Sequence, residues 1–271
     1  GPRGHIFPRT MIIRRSAQVI LVVAQPDHAR LAGVFARAGH QKPNPSLLAA
    51  AHHHDDGWLT WEAAPTIDER GRPHDFLTVP MDERVAIYRR GIDLVAGADP
   101  YAGLLTSMHF SRLLAEGLGS LEGAPRRVAE AFLAGQVAWE VRTRRELGEP
   151  SGAEADYLLL RGFDFLSLLL CMRPLEELAG TTLPPIHERS EEPARPTAID
   201  VVDGRVVLDP YPFGPAKHTG PEGSTGNEAL DVAVEARLLP ATTFDSDQAY
   251  RSALAAAPVE ELRFTLTPPA R

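Results

Sequence analysis

The stretch Leu47–Trp61 constrains this chain more than any other. It reads LLAAAHHHDDGWLTW, a small-residue apolar run leading into three histidines, two aspartates, a glycine and two tryptophans. Packing alone does not account for a run of imidazoles followed by carboxylates. Both are side chains that divalent ions such as Zn2+, Fe2+ or Mn2+ prefer as ligands. Asn44 and Pro45 suit the N-cap and first position of a helix. That helix runs through Leu47, Leu48 and Ala51 and stops near Gly57. The stretch therefore reads as a buried helix that ends by presenting the dyad His54-Asp55 to a metal. His52, His53 and His54 together span about 200° around a helix, so all three cannot face one ion.

Other elements must then supply further ligands, and each candidate falls on a different expected helix. His28 lies on a helix over about 26–38, opened by Pro26, with Leu31, Ala32 and Phe35 at helical spacing. His109 lies on a helix opened by Asp99-Pro100. Asp164 sits in LLLRGFDFLSLLL, within a helix over about 152–173, where its charge is buried. A buried carboxylate without a partner is very costly, so Asp164 needs a metal, a set of donors, or Arg161 three residues earlier. Taken singly, His28 fits a helix-start surface residue and His109 a hydrogen-bonded core histidine. Taken together, His28, His54, Asp55, His109 and Asp164 fit one metal site, since ligands on several packed helices can converge on one buried point. Asp56 is the candidate to orient or deprotonate a bound water, its simpler role being a surface acid at a helix end. Trp58 and Trp61 are placed either to pack a core corner or to stack on a base or sugar.

The remaining chain is mostly helical up to Pro174. Met11–Ala24 reads as two short strands. Residues 58–80 are irregular, a length of loop that is often functional. Helices follow over about 82–96, from 99 to near 117–119, and over about 125–147. Ser151 with Glu154 has the form of a capping box. Residues 181–197 are rich in Pro and Glu and read as a solvated linker. Asp203-Gly204, flanked by valines, signals a hairpin, Leu230–Leu238 and Leu262–Leu266 alternate as strands do, and Gln248–Ala257 fits a short helix between them. The expected fold class is mainly α, a helical bundle with a small β-sheet formed by N-terminal and C-terminal strands. Residues 1–10 are expected to be a leader or cloning remnant before Met11. Residues 11–180 form the helical metal-binding domain with its N-terminal hairpin, and 198–271 form a β-rich segment packed on it.

Composition narrows the partners. The net charge of −8 argues against a general binder of nucleic acid or anionic membrane. The single cysteine, Cys171, excludes an internal disulfide, and its setting LSLLLCM reads as core. No apolar run approaches the roughly 18–20 residues that span a bilayer. A cytoplasmic protein acting on a small molecule is the expectation.

The order His, His-Asp, later His, then Asp within an apolar helix resembles the HD-domain superfamily of metal-dependent phosphohydrolases. More closely, QPDHARLAG (25–33), HDDGW (54–58), GRPHDF (71–76), DPYAGLLTSMH (99–109) and FDFLSLLLC (163–171) resemble the DUF3891 family of bacterial proteins, from about Met11 through the C-terminal strands. The resemblance implies an HD-like all-helical metal-binding core holding one or two divalent transition-metal ions (Fe, Mn or Zn). It implies that His28, His54, Asp55 and Asp164 hold one ion. It matches His109 to the extra histidine of two-metal members, where Asp55 would bridge. His53 and His74 are further candidates for such a second ion. The leading expectation is a hydrolase of phosphate esters or nucleotide-like small molecules that uses a metal-activated water, with Lys42, Arg72, Arg89, Arg90 and Arg112 as candidate phosphate partners. The alternatives are a di-iron oxygenase and a non-catalytic, metal-stabilised ligand-binding module.

Overall fold

The computed structural model describes residues 12–39, 44–186, 195–214 and 229–270. The expected leader 1–10 and Lys42 lie outside them. The chain opens with a β-hairpin, β1 (Ile12–Arg15) and β2 (Val19–Val23), paired antiparallel with Ile12 opposite Val23. It then enters α1 (Gln25–Ala38) and α2 (Pro45–His53), followed by a 3-10 turn (Asp56–Trp58) and α3 (Leu59–Glu62). After a loop come α4 (Met81–Ala98), α5 (Pro100–Gly117), α6 (Gly123–Glu146) and α7 (Ala153–Met172). The final third is β3 (Thr182–Leu183), β4 (Thr197–Val202), β5 (Arg205–Asp209), β6 (Leu230–Pro240), α8 (Asp247–Ala256) and β7 (Val259–Thr267).

Local chemistry explains the starts of α2 and α5. The Asn44 side chain accepts a hydrogen bond from the Ser46 backbone N–H, and Asp99 accepts from Tyr101 and Ala102, so each satisfies donors that a first turn leaves unpaired. The capping box expected at Ser151 does not form: α7 starts from Gly152 with no side-chain cap. Glu154 instead grips Arg112 through both oxygens, at 2.5 and 2.7 Å. A bidentate charged pair is stronger than a capping bond to a backbone amide.

The fold is not a helical bundle with a small sheet. Seven strands form one mixed sheet in the order β1-β2-β6-β7-β5-β4-β3, curled into a half-barrel beside the helices. The eleven-residue β6 pairs with β2 on one side and β7 on the other, both antiparallel, and β5 joins β7 in parallel. These pairings connect the two ends of the chain into one sheet, and no local pattern encodes them. β2 shows why the sheet is large: Leu21 and Val23 face the main core, while Ile20 and Val22 pack on Tyr250 and Leu254 of α8. A strand covered on both faces reads as a continuous apolar run rather than an alternation. The hairpin at Asp203-Gly204 forms as expected, with both residues at positive φ. Within the expected linker, Thr182–Leu183 pairs with β4, Leu183 and Ile186 are buried, and residues 187–194 lie outside the described residues.

The main core runs from the sheet into α1, α2, α5 and α7, and a second core gathers Trp58, Tyr88, Phe110 and Phe132 between α4, α5 and α6. Among the described residues, no helix is long and apolar enough to cross a membrane.

Candidate metal centre

The helices carry the five expected ligands to the middle of the body. His28 lies in the first turn of α1, just after Pro26. His54 and Asp55 lie at the exit of α2, before the 3-10 turn. His109 is in the second half of α5, and Asp164 is in the middle of α7. Two close backbone approaches hold the dyad. A Cβ added at Gly33 of α1 would stand 2.9 Å from His52 Cβ. One at Gly57 would stand 2.4 Å from the Ile87 carbonyl oxygen of α4. Only glycine lets the turn after Asp55 sit this near α4.

All five residues are buried, none more than 5% exposed. Their ligand atoms form two groups, His28/His54/Asp55 and His54/His109/Asp164, within each of which the atoms lie within 4.8 Å of one another. His28 Nε2 is 2.7 Å from Asp55 Oδ2, which is 3.5 Å from His54 Nε2, which in turn is 3.1 Å from Asp164 Oδ1. His109 Nε2 is 3.6 Å from Asp164 Oδ2. At metal–ligand bonds of about 2.1 Å, neighbouring ligand atoms stand roughly 3.0 Å apart in an octahedron and 3.4 Å in a tetrahedron. The donor set and its spacing thus fit a first-row divalent ion.

Hydrogen bonding fixes the tautomer of His28 and of His54, whereas His109 Nδ1 is buried without a partner among the described residues. The Ser167 hydroxyl donates to the Asp164 carbonyl at 2.8 Å, so toward His28 it accepts, 2.9 Å from Nδ1. His54 Nδ1 donates to the Ala51 carbonyl at 3.1 Å. Both rings therefore carry N–H on Nδ1, leaving His28 Nε2 to face Asp55 and His54 Nε2 to face Asp55 and Asp164, while His28 Nδ1 also stands 3.8 Å from Asp164 Oδ1. The Trp58 indole N–H donates to Asp55 Oδ1 at 3.1 Å, leaving Oδ2 as the oxygen turned to the cluster. Asp164 presents Oδ1 to His54 and Oδ2 to His109.

Lone pairs facing carboxylates repel unless a cation lies between them. In the metal-free cluster a proton takes that place. Burial opposes charge on His54, but the Asp55 carboxylate and the bond and charge of Asp164 outweigh it and push His54 up to about 9. Burial likewise opposes charge on Asp164, but His109, His54 and His28 hold its carboxyl well below the usual range. Burial dominates at His109 and lowers it to about 4, leaving a neutral ring fit to bind a metal. One divalent ion in place of the His54 proton, with the two carboxylates and neutral imidazoles, makes the cluster electrically neutral.

The other candidates are placed differently. Asp56 lies outside both ligand groups; its Oδ2 is 2.7 Å from Nδ1 of the half-exposed His53, and its Oδ1 is buried without a partner among the described residues. His53 is therefore on the rim, outside both groups. His74 lies on the loop before α4, with its Nδ1 buried and unpartnered among the described residues. Arg161 pairs with Glu116 at 2.9 Å, not with Asp164. Of the expected phosphate partners, Arg72 binds Asp68, Arg112 binds Glu154, Arg90 donates to the Gly57 carbonyl and Arg89 lies over the Phe132 ring. Trp58 packs edge-on against Trp61 and Tyr88. Cys171 is core, and burial pushes its thiol up to about 12. Ser167 was missed from sequence. Its signal is a hydroxyl three residues after Asp164 in an otherwise apolar run, on the same helix face.

Residues 11–219 match the family described as "Protein of unknown function (DUF3891)". No curated protein and no solved structure matches the chain.

Proposed function

The chain belongs to the DUF3891 family, and we propose that it is a metal-dependent hydrolase of the HD type, acting on a phosphate ester or nucleotide-like small molecule. One observation carries this reading: the buried His28, His54, Asp55, His109 and Asp164 gather in two adjacent groups that share His54, with the Nδ1–H of His28 and of His54 each anchored to a neighbouring oxygen. A divalent ion bound there supplies a Lewis acid and lowers the pKa of a coordinated water. The protein holds the ligand rings in one tautomer, keeps Asp55 oriented through Trp58, and excludes bulk water. Asp56, next in the chain, has one oxygen held by His53 and the other without a partner among the described residues. It is the carboxylate we assign to orient the water and accept its proton.

The test is phosphate release from a panel of nucleotides and phosphate monoesters by the protein with its native metal. Turnover is expected in the wild type and lost in Asp56→Asn, which keeps its metal, and in Asp164→Ala, which does not. Full turnover in Asp56→Asn overturns the base assignment. Absence of release across the panel overturns hydrolysis.

A second reading is an iron-dependent oxygenase that oxidises a small molecule with O2. Two ligand groups that share His54 favour it, as does the engagement of Arg72, Arg89, Arg90 and Arg112 elsewhere. Iron in the protein and substrate-dependent O2 consumption select it.

A further inference from the structure

The start of α4 carries polar groups that the metal centre does not use. Arg84 is half-buried and has no carboxylate partner among the described residues. Its guanidinium is fixed by the preceding loop, donating to the carbonyls of Leu77 at 2.5 Å and Val79 at 3.4 Å. Its Nε is buried and has no hydrogen-bond partner among the described residues. Buried donors are nearly always satisfied, and an orphan one calls for an absent ligand or water. One turn further on the same helix is Tyr88, 8% exposed, whose hydroxyl has no hydrogen-bond partner among the described residues. Residues four apart share a helix face, so the two side chains are neighbours.

That face turns toward the metal centre. The Tyr88 ring stacks on Phe110 at 4.2 Å between centroids, and Phe110 adjoins His109 in sequence and packs at 6.5 Å from the His54 ring. On its other side Tyr88 meets Trp58, whose indole N–H holds Asp55. Electrostatics places the phenol in the same way: burial raises it to about 12, with Arg84 opposing and Asp55 and Asp164 adding to the rise. Tyr88 therefore stands within electrostatic reach of both Arg84 and the two ligand carboxylates. His74 Nδ1, three residues before Leu77 on the same loop, is also buried without a partner among the described residues.

We propose that Arg84 and Tyr88 form an anion-recognition subsite beside the metal cluster, in which the Arg84 Nε–H and the Tyr88 O–H donate to a phosphoryl oxygen of the substrate. The assignment rests on the metal-centre reading for its neighbour, and it supplies the cation that a phosphate substrate needs. The guanidinium is already held in place by two backbone carbonyls, so little conformational entropy is lost when an oxyanion binds.

The test is calorimetric titration of inorganic phosphate into the full chain as purified, with metal content measured in every sample. Wild-type protein is expected to bind phosphate. Arg84→Gln should bind about tenfold more weakly or worse, and Tyr88→Phe several-fold more weakly, both at unchanged metal content. If Arg84→Gln does not fold, Tyr88→Phe and Arg84→Lys decide the matter. Unchanged affinity in the folded variants overturns the subsite and leaves the metal centre standing, as does absence of phosphate binding in metal-loaded wild type. Arg84-dependent phosphate binding by a wild type that carries no metal supports the subsite and removes the metal reading.

Discussion

Metal binding should expel a proton from His54, and the size of the effect follows from the cluster. His54 is held at about 9 by the Asp55 and Asp164 carboxylates against the cost of its burial. Its Nε2 is the atom that faces both carboxylates, so a proton there and a metal ion compete for one position. At pH 7 the ring is about two pH units below that value, so competition weakens apparent metal affinity about 100-fold, or about 3 kcal/mol. The logarithm of the affinity should rise with pH at a slope of about one and level off above pH 9. Calorimetric titration of Mn2+ or Zn2+ into chelator-treated protein, in buffers of different ionisation enthalpy, reads both quantities. The reasoning predicts release of one proton from His54 per ion at pH 7 and almost none at pH 10. A flat affinity between pH 7 and 9 with no buffer-dependent heat would refute it.

Three further outcomes follow from the same geometry. Ser167→Ala and Trp58→Phe remove the groups that orient His28 and Asp55, and each should lower metal affinity about 10- to 100-fold in a metal competition assay while the protein stays folded. Gly57→Ala sets a Cβ 2.4 Å from the Ile87 carbonyl oxygen and 2.7 Å from the Gly91 nitrogen. It should cost about 1–3 kcal/mol and show as a lower melting temperature; an unchanged melting curve would mean that the turn does not sit this close to α4. Metal-free protein should be most stable near pH 6.5. The His54 contribution is complete below its ordinary value of 6.5 and is lost as pH rises through about 9, whereas the His109 contribution is present above 6.5 and is lost as pH falls through about 4. Denaturant melts from pH 4 to 9.5 with chelator check this, and a steady gain in stability up to pH 9 would contradict it.

The site was more legible than the fold, for physical reasons. A buried charge leaves a mark in sequence, because Asp164 within FDFLSLLL has no cheap way to exist without partners. His54-Asp55 after an apolar helix is a similar mark, and starts with Pro, Asn or Asp made three of the four ligand-bearing helices, α1, α2 and α5, readable. The sheet left weaker marks. β6 alternates as expected, but its pairing with β2 joins residues more than two hundred positions apart, and the parallel contact of β5 with β7 has no hairpin to announce it. The two-residue β3 has too few residues to show any period. Glu154 shows the limit of local motifs. Its spacing from Ser151 matches a capping box, but Arg112, distant in sequence, offers a stronger bond. Arg161 and Asp164 repeat the point, since the i,i+3 spacing permits a pair that Glu116 and the histidines take apart.

Elemental analysis of protein purified without added metal or chelator tests the central claim most directly, with Asp55→Ala, Asp164→Ala and the rim variant His53→Ala measured alongside. The account predicts one or two transition-metal ions per chain in the wild type and in His53→Ala, and loss of metal in both aspartate variants. A metal-free wild type, or full metal occupancy in folded Asp55→Ala and Asp164→Ala, would contradict it.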